Sequence, residues 1–105
     1  MILVYVTCKD EKEAQKIGEH LLTERLCACV NIFPDMNPLY FWPPKTGKIE
    51  RGKESVLLIK TIDEKYEEIE KEIAKIHSFD VPCIFSLKVE KVNKKYEDWL
   101  KGEIK

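Results

Sequence analysis

Three side chains in one short stretch have the chemistry to share a metal ion: the imidazole of His77, the carboxylate of Asp80 and the thiol of Cys83. The stretch His77-Ser78-Phe79-Asp80-Val81-Pro82-Cys83 joins a charged, helix-like segment to an apolar strand. Neutral imidazole ligates borderline metals, and a thiolate moves preference toward Cu(I) and Zn(II) and away from hard cations. Asp80 either completes the set or holds the turn. Each residue also has a plainer use. A histidine at a helix C-terminus favours the dipole and caps carbonyls. A cysteine opening a strand fills a small apolar space.

The other candidates are weaker. Cys27 and Cys29 are spaced for one face of a strand, where they either pinch Cu(I) or, as the better reading, pack in the core. Cys8 ends a strand and is expected to be the more exposed thiol. Glu50, Glu54, Lys60 and Thr61 flank an apolar strand pair and either line a cleft between subunits or form cross-strand pairs on a sheet rim. Tyr40-Phe41-Trp42 is either a binding platform or a packing surface at a subunit boundary. There is no C-x-x-C, no Gly-rich phosphate loop and no defensible triad.

These groups need elements to hold them. Residues 2–8 and 27–33 read as apolar strands around a helix with Ala14, Ile17, Gly18, Leu21 and Leu22 on one stripe. Asp10 is its N-cap, and Glu13 occupies the capping-box position. Residues 34–47 are rich in turn formers, interrupted by Tyr40-Phe41-Trp42, which reads as strand. Ser55–Thr61 is a further strand, followed by a helix capped by Thr61 or Asp63, with Ile62, Tyr66, Ile69, Ile73 and Ile76 inward. Cys83–Val89 is the last strand, and Asn93 caps a final helix carrying Tyr96, Trp99 and Leu100.

The 105 residues fit a single domain, 1–105. Net charge is −1, with no basic stripe, so nucleic acid is not an expected partner. No segment has the apolar length of a membrane span, and the start lacks a basic leader, so a cytoplasmic location with reduced thiols is expected. The order β-α-β-β-α-β-α predicts an α+β ferredoxin-like βαββαβ sandwich with a C-terminal helix. Helices on one face should leave alternating strands on the other. Yet Ile2-Leu3-Val4-Tyr5-Val6 and Val56-Leu57-Leu58-Ile59 are apolar throughout. A second copy of the chain is the economical cover.

Five motifs follow one another along the chain. They are Arg25-Leu26-Cys27-Ala28-Cys29-Val30-Asn31; Tyr40-Phe41-Trp42 leading to Gly47-Lys48-Ile49-Glu50; Glu54 with Ile59-Lys60-Thr61; His77 to Pro82; and Tyr96-Glu97-Asp98-Trp99-Leu100. In this order they resemble the CutA divalent-cation-tolerance family over nearly the whole chain. Three features depart from the family pattern. Ser78-Phe79 stands for its Pro-Tyr, Pro43-Pro44-Lys45-Thr46 lengthens a turn, and Cys83 sits where many members carry glutamate. The resemblance implies a ferredoxin-like homotrimer, built like the PII signalling proteins. It also implies binding of divalent metal, copper especially, and a role linked to metal tolerance; with no motif that supports turnover, a binding protein rather than an enzyme is expected. The alternative it leaves open is a PII-like regulator holding a small molecule at subunit clefts and signalling to a protein partner.

Overall fold

The computed structural model describes residues 1–105. Its elements are β1 (Ile2–Cys8), α1 (Glu11–Thr23), β2 (Cys29–Met36), β3 (Leu39–Phe41), β4 (Ile49–Arg51), β5 (Glu54–Thr61), α2 (Tyr66–Ile76), β6 (Ile84–Lys88) and α3 (Lys94–Glu103). Four strands form an antiparallel sheet in the order β2-β5-β1-β6, and β3 and β4 form a separate ribbon. This is the expected ferredoxin-like α+β arrangement, with α3 added.

The core lies between the sheet and helices α1 and α2. Val4, Val6 and Cys8 of β1, Leu57 and Ile59 of β5, Ile17 and Leu21 of α1, and Ile69 and Ile73 of α2 are fully buried together. Gly18 lets α1 sit close on β2, since a Cβ there would lie 3.0 Å from Val30 Cγ2. Asp10 caps α1 as expected, accepting the Glu13 N–H at 2.8 Å.

Several local expectations shift. Strand β2 begins at Cys29, so Cys27 precedes it and joins the core, while Cys29 is only half-buried. Pro34 and Asp35 belong to β2, which bulges between Phe33 and Met36, with Asp35 at φ 60°. Neither Thr61 nor Asp63 caps α2. A 3-10 turn at Asp63–Lys65 leads into it, and the buried Thr61 hydroxyl donates to the Leu26 carbonyl at 2.6 Å. Asn93 precedes α3 without a side-chain capping bond. Cys8 is completely buried rather than exposed, because it points with Val4 and Val6 toward the helices.

The face of the sheet away from α1 and α2 is partly covered by α3. Leu100 is fully buried there, and the Lys60 ammonium lies 5.5 Å from the Tyr96 ring centroid. Phe33, Phe85 and Leu87 remain exposed. The β3–β4 ribbon exposes Leu39, Phe41 and Ile49 as well. The molecule measures 47 × 26 × 23 Å, an elongated shape for its length.

Candidate metal centre

The backbone of Thr7 ties down both ends of the corner that contains the three sequence candidates. Its N–H donates to the Cys83 carbonyl at 3.4 Å, and its carbonyl lies 2.7 Å from His77 Nε2. On the other side of the ring, the Phe79 N–H donates to His77 Nδ1 at 3.0 Å. A carbonyl only accepts and an amide only donates. The pattern therefore puts the ring proton on Nε2 and leaves neither nitrogen free.

Three potential ligands meet behind this corner: Cys8, Glu13 and His77, with one donor atom from each within 4.8 Å of the others. The group is a closed polar knot. Glu13 accepts the Lys9 N–H through Oε1 and the Ser78 N–H through Oε2, each at 2.9 Å. Burial alone would raise its carboxyl, but the Lys9 and Ser78 N–H groups prevail and the carboxyl is lowered. Burial pushes the Cys8 thiol up to about 12, so its thiolate is costly to form.

Asp80 and Cys83 lie on the other side of the corner. They line an open cleft of about 670 Å³, together with Tyr5 and Thr7 of β1, Glu54 at the start of β5, and Tyr40 and Trp42 of the ribbon. The structure thus gathers Asp80 and Cys83 on one surface and gathers His77 with Cys8 and Glu13. Cys83 is exposed. Its thiol is raised by partial burial and by the neighbouring Glu54 carboxylate, and Glu54 is itself raised by burial.

Sequence reasoning missed the role of Glu13. Its capping position is legible, but its bond to Ser78, 65 residues away, is not. Of the polar set flanking the apolar strand pair, only Glu54 reaches the cleft. Thr61 is buried and Glu50 lies exposed on β4, and none of the four takes part in an ion pair. Strand alternation was the available signal for Tyr5 and Thr7, which point away from the core face of Val4 and Val6.

Residues 2–103 match the model of the CutA1 divalent ion tolerance protein family. The chain belongs to that family. It is 41% identical to the divalent-cation tolerance protein CutA of Thermotoga maritima over 104 residues, covering 99% of both chains. It is 40% identical to CutA of Pyrococcus horikoshii, covering 100% of this chain and 99% of the relative. The fold agrees. The crystal structure of CutA1 from Thermus thermophilus superposes with a TM-score of 0.93 at 32% identity, covering 100% of both chains. That of CutA from Archaeoglobus fulgidus, described as periplasmic, also gives 0.93, at 35% identity and 100% of both chains.

Proposed function

We propose that this member of the family is a homotrimeric metal-binding protein that takes copper or another soft or borderline cation at the His77–Cys83 corner. The observation that carries the reading is the placement of Cys83 and Asp80, with Glu54 beside them, on one open cleft, while His77 sits behind the same corner with Cys8 and Glu13. Cys83 supplies a thiolate and Asp80 a carboxylate. His77 joins through Nδ1 by giving up the Phe79 N–H, a modest cost against a metal–ligand bond. The sulfur ranks Cu(I) and Zn(II) above Mg(II) and Mn(II). Affinity falls on acidification, as protons compete for the thiolate.

Competitive titration of Cu(I) against a chromophoric chelator tests the site. Cys83→Ser, Asp80→Asn and His77→Ala should each weaken binding and leave the oligomer mass unchanged. Undiminished affinity in Cys83→Ser would overturn the assignment. A loss confined to Cys8→Ser would move the site to the buried knot.

The trimer rests on apolar surface. Phe33, Phe85 and Leu87 on the sheet and Leu39, Phe41 and Ile49 on the ribbon are exposed in one chain. Covering what remains exposed of each is worth roughly 1 kcal/mol, a fraction of the value for complete burial. A ribbon of two three-residue strands does not hold its shape unaided, so a neighbour's sheet edge is its natural support. Light scattering after gel filtration gives the mass, and a monomer at micromolar concentration would overturn the reading. A cytoplasmic location is part of the proposal and is supported by four free thiols. Trapping those thiols in intact cells, followed by fractionation, checks it against the periplasmic description of the Archaeoglobus relative.

The aromatic lining of the cleft favours a second reading, a PII-like regulator that holds a small molecule between subunits and signals to a protein partner. A thermal-shift screen separates the two. Stabilisation by metals supports the first, and stabilisation by nucleotides or other anions the second.

A further inference from the structure

The cleft has an aromatic wall that a metal ion would not use. Tyr5, Tyr40, Trp42 and Phe79 line it together with the carboxylates of Glu54 and Asp80, and no lysine or arginine does. Neither carboxylate takes part in an ion pair. Two carboxylates without an ion-pair partner among four aromatic side chains, of which Tyr5 is stacked on Phe85, form a surface complementary to a cation. The volume, about 670 Å³, suits a small organic molecule and far exceeds what one ion occupies.

The kind of cation follows from the lining. A primary ammonium or an alkali ion must exchange strong hydration for hydrogen bonds. Besides the carboxylates, the side chains of Thr7, Ser78 and Cys83, the Tyr5 and Tyr40 hydroxyls and the Trp42 indole N–H are the polar groups of the lining, and the indole N–H accepts nothing from an ammonium. A methylated ammonium spreads its charge over methyl groups and is weakly hydrated. It therefore gives up little on entering an aromatic site and gains both the ring quadrupoles and the counter-charge. We propose that the cleft is a binding site for a small methylated ammonium compound, held against Trp42, Tyr40, Tyr5 and Phe79 with Glu54 and Asp80 as counter-charges. Metal ligation at Cys83 is not required for this, although Asp80 is shared with the proposed metal site; the inference names a ligand class for the second reading of the cleft.

Choline is the probe, measured by isothermal titration against the full-length protein. Its control is the uncharged carbon isostere, in which a tert-butyl group replaces the trimethylammonium. Choline should bind saturably, and the isostere about tenfold or more weaker. Trp42→Ala should weaken choline by about tenfold, and Glu54→Gln by about fivefold. Choline binding should be the same with and without a Cu(I) chelator, since the proposed contacts do not use the metal. If Trp42→Ala alters the oligomer mass, Trp42→Phe and Glu54→Gln decide the matter. The first keeps an aromatic face and should lose no more than about threefold; the second removes only charge. Equal affinity for choline and its isostere, or no choline binding at all, would overturn the inference. If choline fails while Cu(I) still binds to Cys83, this inference falls alone. If Cu(I) fails while choline binds, only the metal reading falls.

Discussion

The knot of Cys8, Glu13 and His77 and the cleft of Glu54, Asp80 and Cys83 share one corner of the chain but differ in how far their polar groups are satisfied. In the knot, both His77 nitrogens and both Glu13 oxygens have partners between 2.7 and 3.0 Å. In the cleft, Glu54 and Asp80 have no ion-pair partner and Cys83 is open to solvent. Satisfied buried groups stabilise a fold and resist a ligand that would displace their partners. Carboxylates with no ion-pair partner on an accessible surface keep their charge available to a ligand. The same composition of ligand types thus serves structure on one side of the corner and recognition on the other.

The largest expected effect breaks the knot. In Glu13→Gln, an amide NH2 replaces one of two oxygens that each accept a backbone N–H, so one part-buried donor loses its partner. The cost should be about 1–3 kcal/mol, read from urea denaturation. The carboxyl is lowered in the folded protein from its ordinary value of 4.5. Its contribution is therefore fully present above pH 4.5 and lost as pH falls through the folded value. Wild-type stability should decline on acidification below that point, and the variant's curve should be flatter. Parallel curves would show that the acid-sensitive group lies elsewhere.

The difference between the two sides also marks how far the sequence could be read. Periodicity placed the helices and most strands because their burial is set by local spacing, as in the alternation of Val4, Val6 and Cys8. It misjudged Cys8 because exposure at a strand end depends on what crosses over it, here the His77 corner. It placed His77, Asp80 and Cys83 in one stretch but could not tell which way each points. That is decided by Thr7, whose backbone pairs with both ends of the turn from 70 residues away. Glu54 reaches the cleft because β5 pairs with β1, where Cys8 meets Ser55, and Trp42 because it follows β3; these are long-range placements that composition does not encode.

Thiol reactivity sharpens the comparison without any mutation. Cys8 and Cys27 are buried, and burial pushes both thiols up to about 12. Cys29 is half-buried, and Cys83 is exposed with its thiol raised less. Alkylation at mildly alkaline pH, followed by peptide mass spectrometry, should label Cys83 first and Cys29 next. Cys8 and Cys27 should react only on unfolding. Labelling of Cys8 at a rate near that of Cys83 would show that the corner opens in the native state and that the knot is accessible to metal.

The smallest effect is expected just beyond the wall of the cleft, at the ribbon tip. Pro43, Pro44, Lys45 and Thr46 are exposed. Their bonds are local: the Thr46 hydroxyl donates to the Pro43 carbonyl at 2.7 Å and accepts the Lys48 N–H at 3.3 Å. The closing bond of the ribbon is separate, from the Trp42 N–H to the Lys48 carbonyl at 3.0 Å. Deleting Pro44, Lys45 and Thr46 leaves Pro43 and Gly47 between that pair. Proline followed by glycine suits a tight turn, and Gly47 already sits at φ 71°, where the second central residue of such a turn needs a glycine. Stability should change by no more than about 1 kcal/mol. Choline and Cu(I) affinities should stay within about twofold, since no deleted residue lines the cleft. Light scattering should report the wild-type mass. A smaller mass would show that the tip contacts a neighbouring subunit, and a loss of choline binding alone would show that the tip fixes the orientation of Trp42.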